Sequence, residues 1–198
     1  SNEYSYKTMK QNLIDGLSKK EFILSKFYTV IAFALISTIF VFVVSLILGL
    51  IYSDYDESSI IFSDMEYLLA FFVKLLGFFS FGLFLGILIK RSAFAVAGML
   101  VWLIGESIFK GYLYWSFRGA ENVSEKVDRF MQFLPLEAMT NLIKEPFSKL
   151  GAVRSAANTM GEAFTKSYDV EFLAILIVLF WTFIFIFSSY KILEKRDL

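Results

Sequence analysis

Three ionisable side chains stand inside long apolar stretches of this sequence: Lys74, Glu106 and Lys110. A charge inside a membrane-spanning segment is costly, and such residues often line a path for ions or substrates. Glu106 and Lys110 are four residues apart with the acid first, the favourable order for an ion pair on one helix. The sequence predicts that Lys110 or Lys74 compensates the charge of Glu106. Two interpretations stay open: a neutralised packing pair with lysines that reach outward, or residues along a substrate path.

Most catalytic chemistry is excluded by the residues that the chain lacks. It has no histidine and no cysteine, which removes the usual zinc sites and Ser-His or Cys-His catalysis. Gly77 and Gly82 have the glycine spacing of a phosphate-binding loop, but Leu83 and Phe84 stand where that motif requires Lys and Ser or Thr. The apolar stretches contain no aspartate, which excludes a paired-aspartate intramembrane protease. We therefore expect no catalytic, cofactor-binding or metal-binding residue in this chain, and no enzyme activity of its own.

Four apolar segments must position the three charges: 27–52, 67–89, 93–115 and 170–190. Each is close to or above the roughly 20 residues that a helix needs to cross about 30 Å of hydrocarbon. Hydrophobic residues make up 57% of the chain, more than the roughly 45–50% of soluble domains. The predicted fold is an all-α polytopic integral membrane protein, with one transmembrane domain over 1–198 and the lipid bilayer as its surroundings. A formal net charge of zero gives no general attraction for nucleic acid.

Basic residues predict the orientation of these helices. They occur in the leading segment 1–26, at Lys90 and Arg91, and in the tail after Tyr190, whereas the loop 53–66 carries only acidic charges. The excess of Lys and Arg on cytoplasmic loops places both termini in the cytoplasm. The loop 53–66 and the stretch 116–169 then lie outside, although the latter contains several basic residues.

The leading segment 1–26 has the pattern of a surface helix followed by an elbow. Apolar residues recur every four positions and form one stripe: Met9, Leu13 and Leu17. Gly16 suits a helix C-cap, and Ser18 with Glu21 matches a capping box that starts a helix continuing into the first apolar segment. This surface helix is either an interfacial anchor or a docking helix for a cytoplasmic partner.

The outer stretch 116–169 is predicted to contain short helices. Apolar residues keep helical spacing from Val123 to Leu134, Pro135 interrupts the run, and a second short helix is expected over 136–144, before Pro146. Residues 152–164 are rich in small side chains. These helices are expected to lie on, or dip into, the outer leaflet, and the alternative is a solvated loop.

Gly82 and Gly86 form a G-x-x-x-G pattern in the second apolar segment. This spacing allows close approach of a neighbouring helix. Packing within the subunit is favoured over a dimer contact, because glycine is common in membrane helices.

Several short motifs, taken in order, resemble a known family. Residues 3–22 read EYSYKTMKQNLIDGLSKKEF and are followed by Lys26 and a long apolar segment. Further matches are Ser92 after Lys90-Arg91, the run 133–136 followed by 141–143, and the closing run 195–198. Over its whole length the chain resembles type-2 ABC transporter permeases, most of all the branch found in Bacteroidetes. Lys19 stands where that family commonly has Arg.

The resemblance implies the membrane subunit of a bacterial ATP-driven exporter in the cytoplasmic (inner) membrane. A second permease subunit, identical or different, would complete the substrate path, and separate ATPase subunits would carry ATP and Mg. In this family those subunits dock on the cytoplasmic helix. The resemblance therefore implies that the following residues couple this chain to its partner: Met9, Leu13, Asp15, Gly16, Leu17, Ser18 and Glu21. The outer stretch 116–169 forms short re-entrant helices in this family. Family subunits usually have six spans, so two leading helices are expected to be missing here. The alternative is a non-transporting membrane scaffold or assembly partner.

Overall fold

The computed structural model describes residues 16–52, 65–89, 91–120, 122–143 and 169–196. All regular structure in these ranges is helical, which confirms the predicted all-α class. The helices are α1 (Lys19–Tyr52), α2 (Met65–Ile89), α3 (Ser92–Ser116), α4 (Val123–Met131), α5 (Pro135–Asn141) and α6 (Phe172–Glu194).

Four of these helices, α1, α2, α3 and α6, are long and apolar enough to cross a membrane. They correspond to the four predicted apolar segments, and the helices run a few residues beyond them. The largest extension is in α1, which begins at Lys19, as predicted from the capping box. The cause is the predicted capping box: Ser18 Oγ and its backbone amide donate to Glu21 Oε2 at 2.7 and 2.8 Å, and the Glu21 amide donates to Ser18 Oγ at 3.2 Å.

Helix α2 lies at the centre of the bundle and packs against α1, α3 and α6. The main core joins three elements: Val73, Phe81 and Leu85 from α2, Ala138, Met139 and Leu142 in and after α5, and Ile177, Val178 and Phe185 from α6. The short helix α5 thus fills the space between two long apolar helices. By contrast, α1 and α3 expose large apolar side chains along most of their length, as lipid-facing helices do.

One end of the bundle carries Lys19, Arg91 and Arg196, and we name it the basic end. Phe22 and Ile23 of α1 pack there against Ile87 of α2 and Leu193 of α6. Lys19 Nζ donates to the carbonyl oxygens of Glu194 and Arg196 at 3.1 and 2.7 Å. The Arg196 guanidinium in turn donates to the carbonyls of Ile87 and of Leu88, the latter at 2.9 Å. These carbonyls belong to helix ends that lack intrahelical donors, so the basic side chains tie α1, α2 and α6 together.

Helices α4 and α5 are separated at the point where the sequence predicts a break. The first ends at Met131 and the second begins with Pro135. Proline is compatible with the first turn of a helix but not with its interior. Residues 152–164 and the predicted surface helix over 4–15 lie outside the described residues.

Candidate functional site

Glu106 is the only buried acidic residue in the described part of the chain, with 9% of its surface exposed. Its carboxylate accepts three hydrogen bonds. Trp102 Nε1 and the backbone amide of Leu136 donate to Oε1 at 2.7 and 3.2 Å, and the backbone amide of Glu137 donates to Oε2 at 3.0 Å. The side chain on α3 therefore binds the first turn of α5.

This contact supplies the cap that α5 lacks. The residue before α5 is Leu134, which offers no side-chain acceptor to the exposed amides. The first amides of any helix need an acceptor, and a carboxylate there also interacts favourably with the helix dipole. Glu106 fulfils this role from a different helix. Two features of the sequence could have predicted this contact between Glu106 and α5. The residue before Pro135 is apolar and cannot cap the helix, and Glu106 is a lone acid in an apolar stretch.

Lys110 pairs with Glu137 rather than with Glu106, so the predicted pair within α3 is wrong. Lys110 Nζ lies 2.6 Å from Glu137 Oε1, with both side chains partly buried. Helical spacing placed Glu106 and Lys110 on one face correctly, but each finds a better partner on α5. A carboxylate that already receives two backbone amides and an indole is satisfied without the lysine.

Lys74, the third charge in the apolar stretches, lies on α2 three residues before Gly77 and is half-buried. The hydrogen bonds that the Glu106 carboxylate accepts come from the backbone amides of α5 and from the Trp102 indole.

The turn between α4 and α5 lies against α6, well away from the end of that helix. Trp181 Nε1 donates to the carbonyl oxygen of Phe133 at 2.8 Å. Trp181 is nine residues along α6 from Phe172, or about 14 Å at 1.5 Å per residue. Glu106 is ten residues from Ser116 at the end of α3, or about 15 Å. Both anchors therefore hold the tip of an α4–α5 hairpin well below the ends of α3 and α6.

Helix α4 reaches this depth along α3. Val127 and Met131 are fully buried and pack against Leu113 of α3. The rings of Phe117 and Phe130 stack with their centroids 5.9 Å apart. The apolar side of α4 thus faces α3, and its charged residues face away from it.

Beside the hairpin lies a polar cleft of about 670 Å³. Its charged lining comes from α3, α4, α5 and the start of α6: Lys110, Glu125, Asp128, Arg129, Glu137 and Glu171. Arg129 pairs with Glu125 at 2.6 Å, and Lys110 pairs with Glu137 at the same distance. Among the described residues no group of three or more metal-ligating side chains could hold a metal ion.

A family model described as a protein of unknown function, DUF2705, matches residues 1–198. The chain belongs to the DUF2705 family. No curated protein and no solved structure matches the chain.

Gly77 is a close-packing position that the sequence analysis of the DUF2705 chain did not single out as one. A Cβ at Gly77 would lie 2.8 Å from Val178 Cγ1 and 3.1 Å from Met139 Cε, so this glycine allows α2, α5 and α6 to approach. A Cβ at Gly82 would meet only Met99 Cε, at 3.9 Å. Gly82 thus has free space beside it, and the predicted close approach at Gly86, which is half-buried, stays a prediction.

The predicted partner-coupling residues fall at the boundary of the described region. Gly16 has φ +102°, a left-handed conformation that favours glycine and fits an elbow before α1. Leu17 is exposed, and Ser18 and Glu21 form the capping box. Met9, Leu13 and Asp15 lie outside the described residues.

Proposed function

We propose that this chain is the membrane-spanning permease subunit of an ATP-driven ABC exporter. In this proposal it shares the substrate path with a second permease subunit, and a separate ATPase subunit with ATP and Mg supplies the energy. The observation that carries the proposal is the α4–α5 hairpin, whose tip is bound by Glu106 and Trp181 about 14 Å below the ends of the long helices.

A hairpin at this depth is a costly feature for a membrane protein. Backbone that leaves the helical pattern within the hydrocarbon region is tolerated only where protein or a water-filled cavity satisfies it. Broken helices whose ends point into the bundle are typical of transporters, where they line the substrate path. A protein that merely holds other subunits together needs four plain helices and no such hairpin.

The predicted orientation places the hairpin in the outer leaflet and the basic end at the cytoplasm. The surface helix over 4–17 then lies on the cytoplasmic side, where an ATPase subunit binds. Its expected apolar stripe, Met9, Leu13 and Leu17, packs against that subunit or against the permease. The chain has no phosphate-binding loop, so energy from ATP must enter through another protein.

The structure of α1 supports a mechanical link from that helix to the bundle. The capping box makes α1 one continuous helix from Lys19 to Tyr52, directly after the elbow at Gly16. Lys19 binds the carbonyls at the end of α6, and Arg196 binds those at the end of α2. A displacement at the elbow would therefore move three long helices together as a rigid body.

A pull-down from native membranes with a nucleotide-hydrolysis assay tests the proposal. The wild-type chain should co-purify with an ATPase, and the double variant Leu13→Asp and Leu17→Asp should insert normally but lose this partner or its coupling. The matched control adds the same two charges to the polar side, Gln11→Asp and Asn12→Asp, and should retain both. If the Leu13 and Leu17 variant still binds the ATPase and transports, the coupling role is wrong. If the wild-type chain has no ATPase partner, a scaffold role is favoured.

A further inference from the structure

A second site lies between α1, α2 and α3. It is an apolar groove of about 440 Å³. Its walls come mainly from Val30 and Phe33 of α1, Phe79, Gly82 and Leu83 of α2, and Met99 of α3. The groove continues to the surface of the bundle, because Phe33 is 58% exposed at its edge.

The lining leaves almost nothing for a polar ligand to bind. Thr29 contributes the groove's one hydroxyl, and that hydroxyl donates to the Ser25 carbonyl of its own helix at 3.0 Å. Phe33 and Phe79 meet edge to face with ring centroids 5.3 Å apart, so the two aromatic walls hold their shape. Gly82 keeps the floor open, since the nearest atom to an added Cβ would be 3.9 Å away.

Two cations lie between the groove and the basic end. Lys26 is four residues before Val30, about 6 Å along α1, and this spacing places it on the same helix face as that wall residue. Arg91 is the residue directly before α3, which contributes Met99 to the groove about 12 Å further along. The Lys26 ammonium lies 5.3 Å from the ring centroid of Phe22, one turn closer to the basic end. The charge on that wall therefore points towards the basic end.

The start of α3 adds to this positive region. Arg91 is the N-cap residue, and because its side chain carries only hydrogen-bond donors it offers no acceptor to the first amides of the helix. The N-terminus of a 25-residue helix carries a partial positive charge that favours phosphate. An apolar slot that ends at two cations and a helix N-terminus matches a long hydrocarbon chain joined to a phosphate.

We propose that this groove is a binding site for an anionic phospholipid of the leaflet at the basic end. One acyl chain occupies the groove beside Phe33, Phe79 and Met99, and the phosphate lies between Lys26 and Arg91. Basic pockets between membrane helices bind anionic headgroups in this way on the cytoplasmic side. The site is independent of the proposed transport function, because occupancy requires neither an ATPase nor cargo.

The test uses the full chain in phosphatidylcholine nanodiscs that contain a trace of phosphatidylglycerol with a photoactivatable acyl chain. After irradiation, labelled peptides are identified by mass spectrometry. The label should concentrate on the peptides with Phe33, Phe79 and Met99, and unlabelled phosphatidylglycerol should compete better than phosphatidylcholine. The variants Lys26→Gln and Arg91→Gln should each lower labelling about fivefold, while Lys20→Gln and Lys195→Gln, which remove exposed charges at the same end, should not.

The groove itself is tested by filling it. Gly82→Leu should abolish labelling, and Gly49→Leu, a matched change on α1 where nothing lies within 4 Å of an added Cβ, should leave it unchanged. Val30→Trp fills the groove from the other wall and serves if Gly82→Leu does not fold. Equal labelling by phosphatidylcholine and phosphatidylglycerol analogues overturns the proposal. The proposal is also overturned if labelling survives both filling variants, or if these residues cross-link to a second copy of the chain.

Discussion

Glu106 Oε2 accepts the backbone amide of Glu137 at 3.0 Å, while the Glu137 side chain accepts Lys110 at 2.6 Å. The two acids thus play different roles at one contact between α3 and α5. Glu106 caps the helix that contains Glu137. Glu137 forms an ion pair with Lys110, which lies one turn after Glu106 on α3. Both charges of α3 are directed at the hairpin, so the position of the hairpin depends on them.

Replacing Glu106 should loosen the hairpin in a graded way. Glu106→Ala leaves the buried amides of Leu136 and Glu137 without an acceptor, which costs about 1–3 kcal/mol for each. Glu106→Gln keeps one acceptor oxygen but loses the charge at the helix N-terminus, so a loss of about 1–2 kcal/mol is expected. Protection of these two amides from hydrogen exchange should be highest in wild type, lower in Glu106→Gln and lowest in Glu106→Ala. The melting temperatures in mild detergent should follow the same order. Equal protection in all three proteins would contradict the capping role.

Lys110 and Glu137 should show energetic coupling in a double-mutant cycle. Lys110→Met and Glu137→Gln remove the partners separately and together, and contact residues of this kind couple by about 0.5–3 kcal/mol. The exposed pair Arg129 and Glu125, four residues apart on α4, is the control and should couple by about 0.3–0.5 kcal/mol. A cycle on Lys110 and Glu106 should give a smaller coupling than the cycle on Lys110 and Glu137. The reverse order would restore the pair within α3 that the spacing predicted.

Gly77→Ala should destabilise the bundle, because the new methyl group would overlap Val178 and Met139. Overpacking of this kind costs about 1–3 kcal/mol. Val178→Ala in the same chain removes the closest overlap and should restore part of the loss. Gly105→Ala is the matched control: nothing lies within 4 Å of its added Cβ, and it should be neutral or stabilising because alanine favours helix. Thermal unfolding of the four proteins in one detergent checks the order.

Single introduced cysteines should report the predicted orientation. Ser58→Cys lies in the acidic loop 53–66 and should react with a membrane-impermeant maleimide from outside intact cells. Ser92→Cys is at the start of α3, at the basic end, and should react only after the membrane is opened. The opposite pattern would invert the topology and move the α4–α5 hairpin to the inner leaflet.

Local signals predicted most of the fold. Hydropathy identified the four long helices, the Ser18 and Glu21 spacing identified the start of α1, and Pro135 separated α4 from α5. Each of these signals acts over a few neighbouring residues, or over one helix length, and so it can be read along the chain.

The candidate site could be predicted only in part. Sequence reasoning chose Glu106 and Lys110 correctly as unusual residues, but their partners on α5 are about 30 positions away in sequence. The tight approach at Gly77 likewise depends on Val178, which belongs to a distant helix. Such contacts follow from the insertion of the hairpin between α2 and α6, and no periodic pattern in the sequence specifies that insertion.

Arg196 should connect the stability of the basic end with the proposed coupling. Its guanidinium binds the last carbonyls of α2, and its own carbonyl accepts Lys19 of α1. Arg196→Met removes charge-assisted hydrogen bonds worth about 1.5–3 kcal/mol in favourable cases. Hydrogen exchange in the last turn of α2 should therefore rise. Lys191→Met removes an exposed basic residue nearby on α6, whose ion pair is with Glu194, and should leave that exchange unchanged.

The same variant separates a structural role from a coupling role. If the basic end transmits motion from the elbow at Gly16 to α2 and α6, Arg196→Met should keep the ATPase bound and active while transport falls. A purely structural role predicts that binding, hydrolysis and transport fall together with thermal stability. Because Lys19 binds the carbonyl of residue 196 and not its side chain, the contact between α1 and α6 persists in Arg196→Met. The variant therefore tests the link to α2, and unchanged transport would show that α2 needs no such link to move.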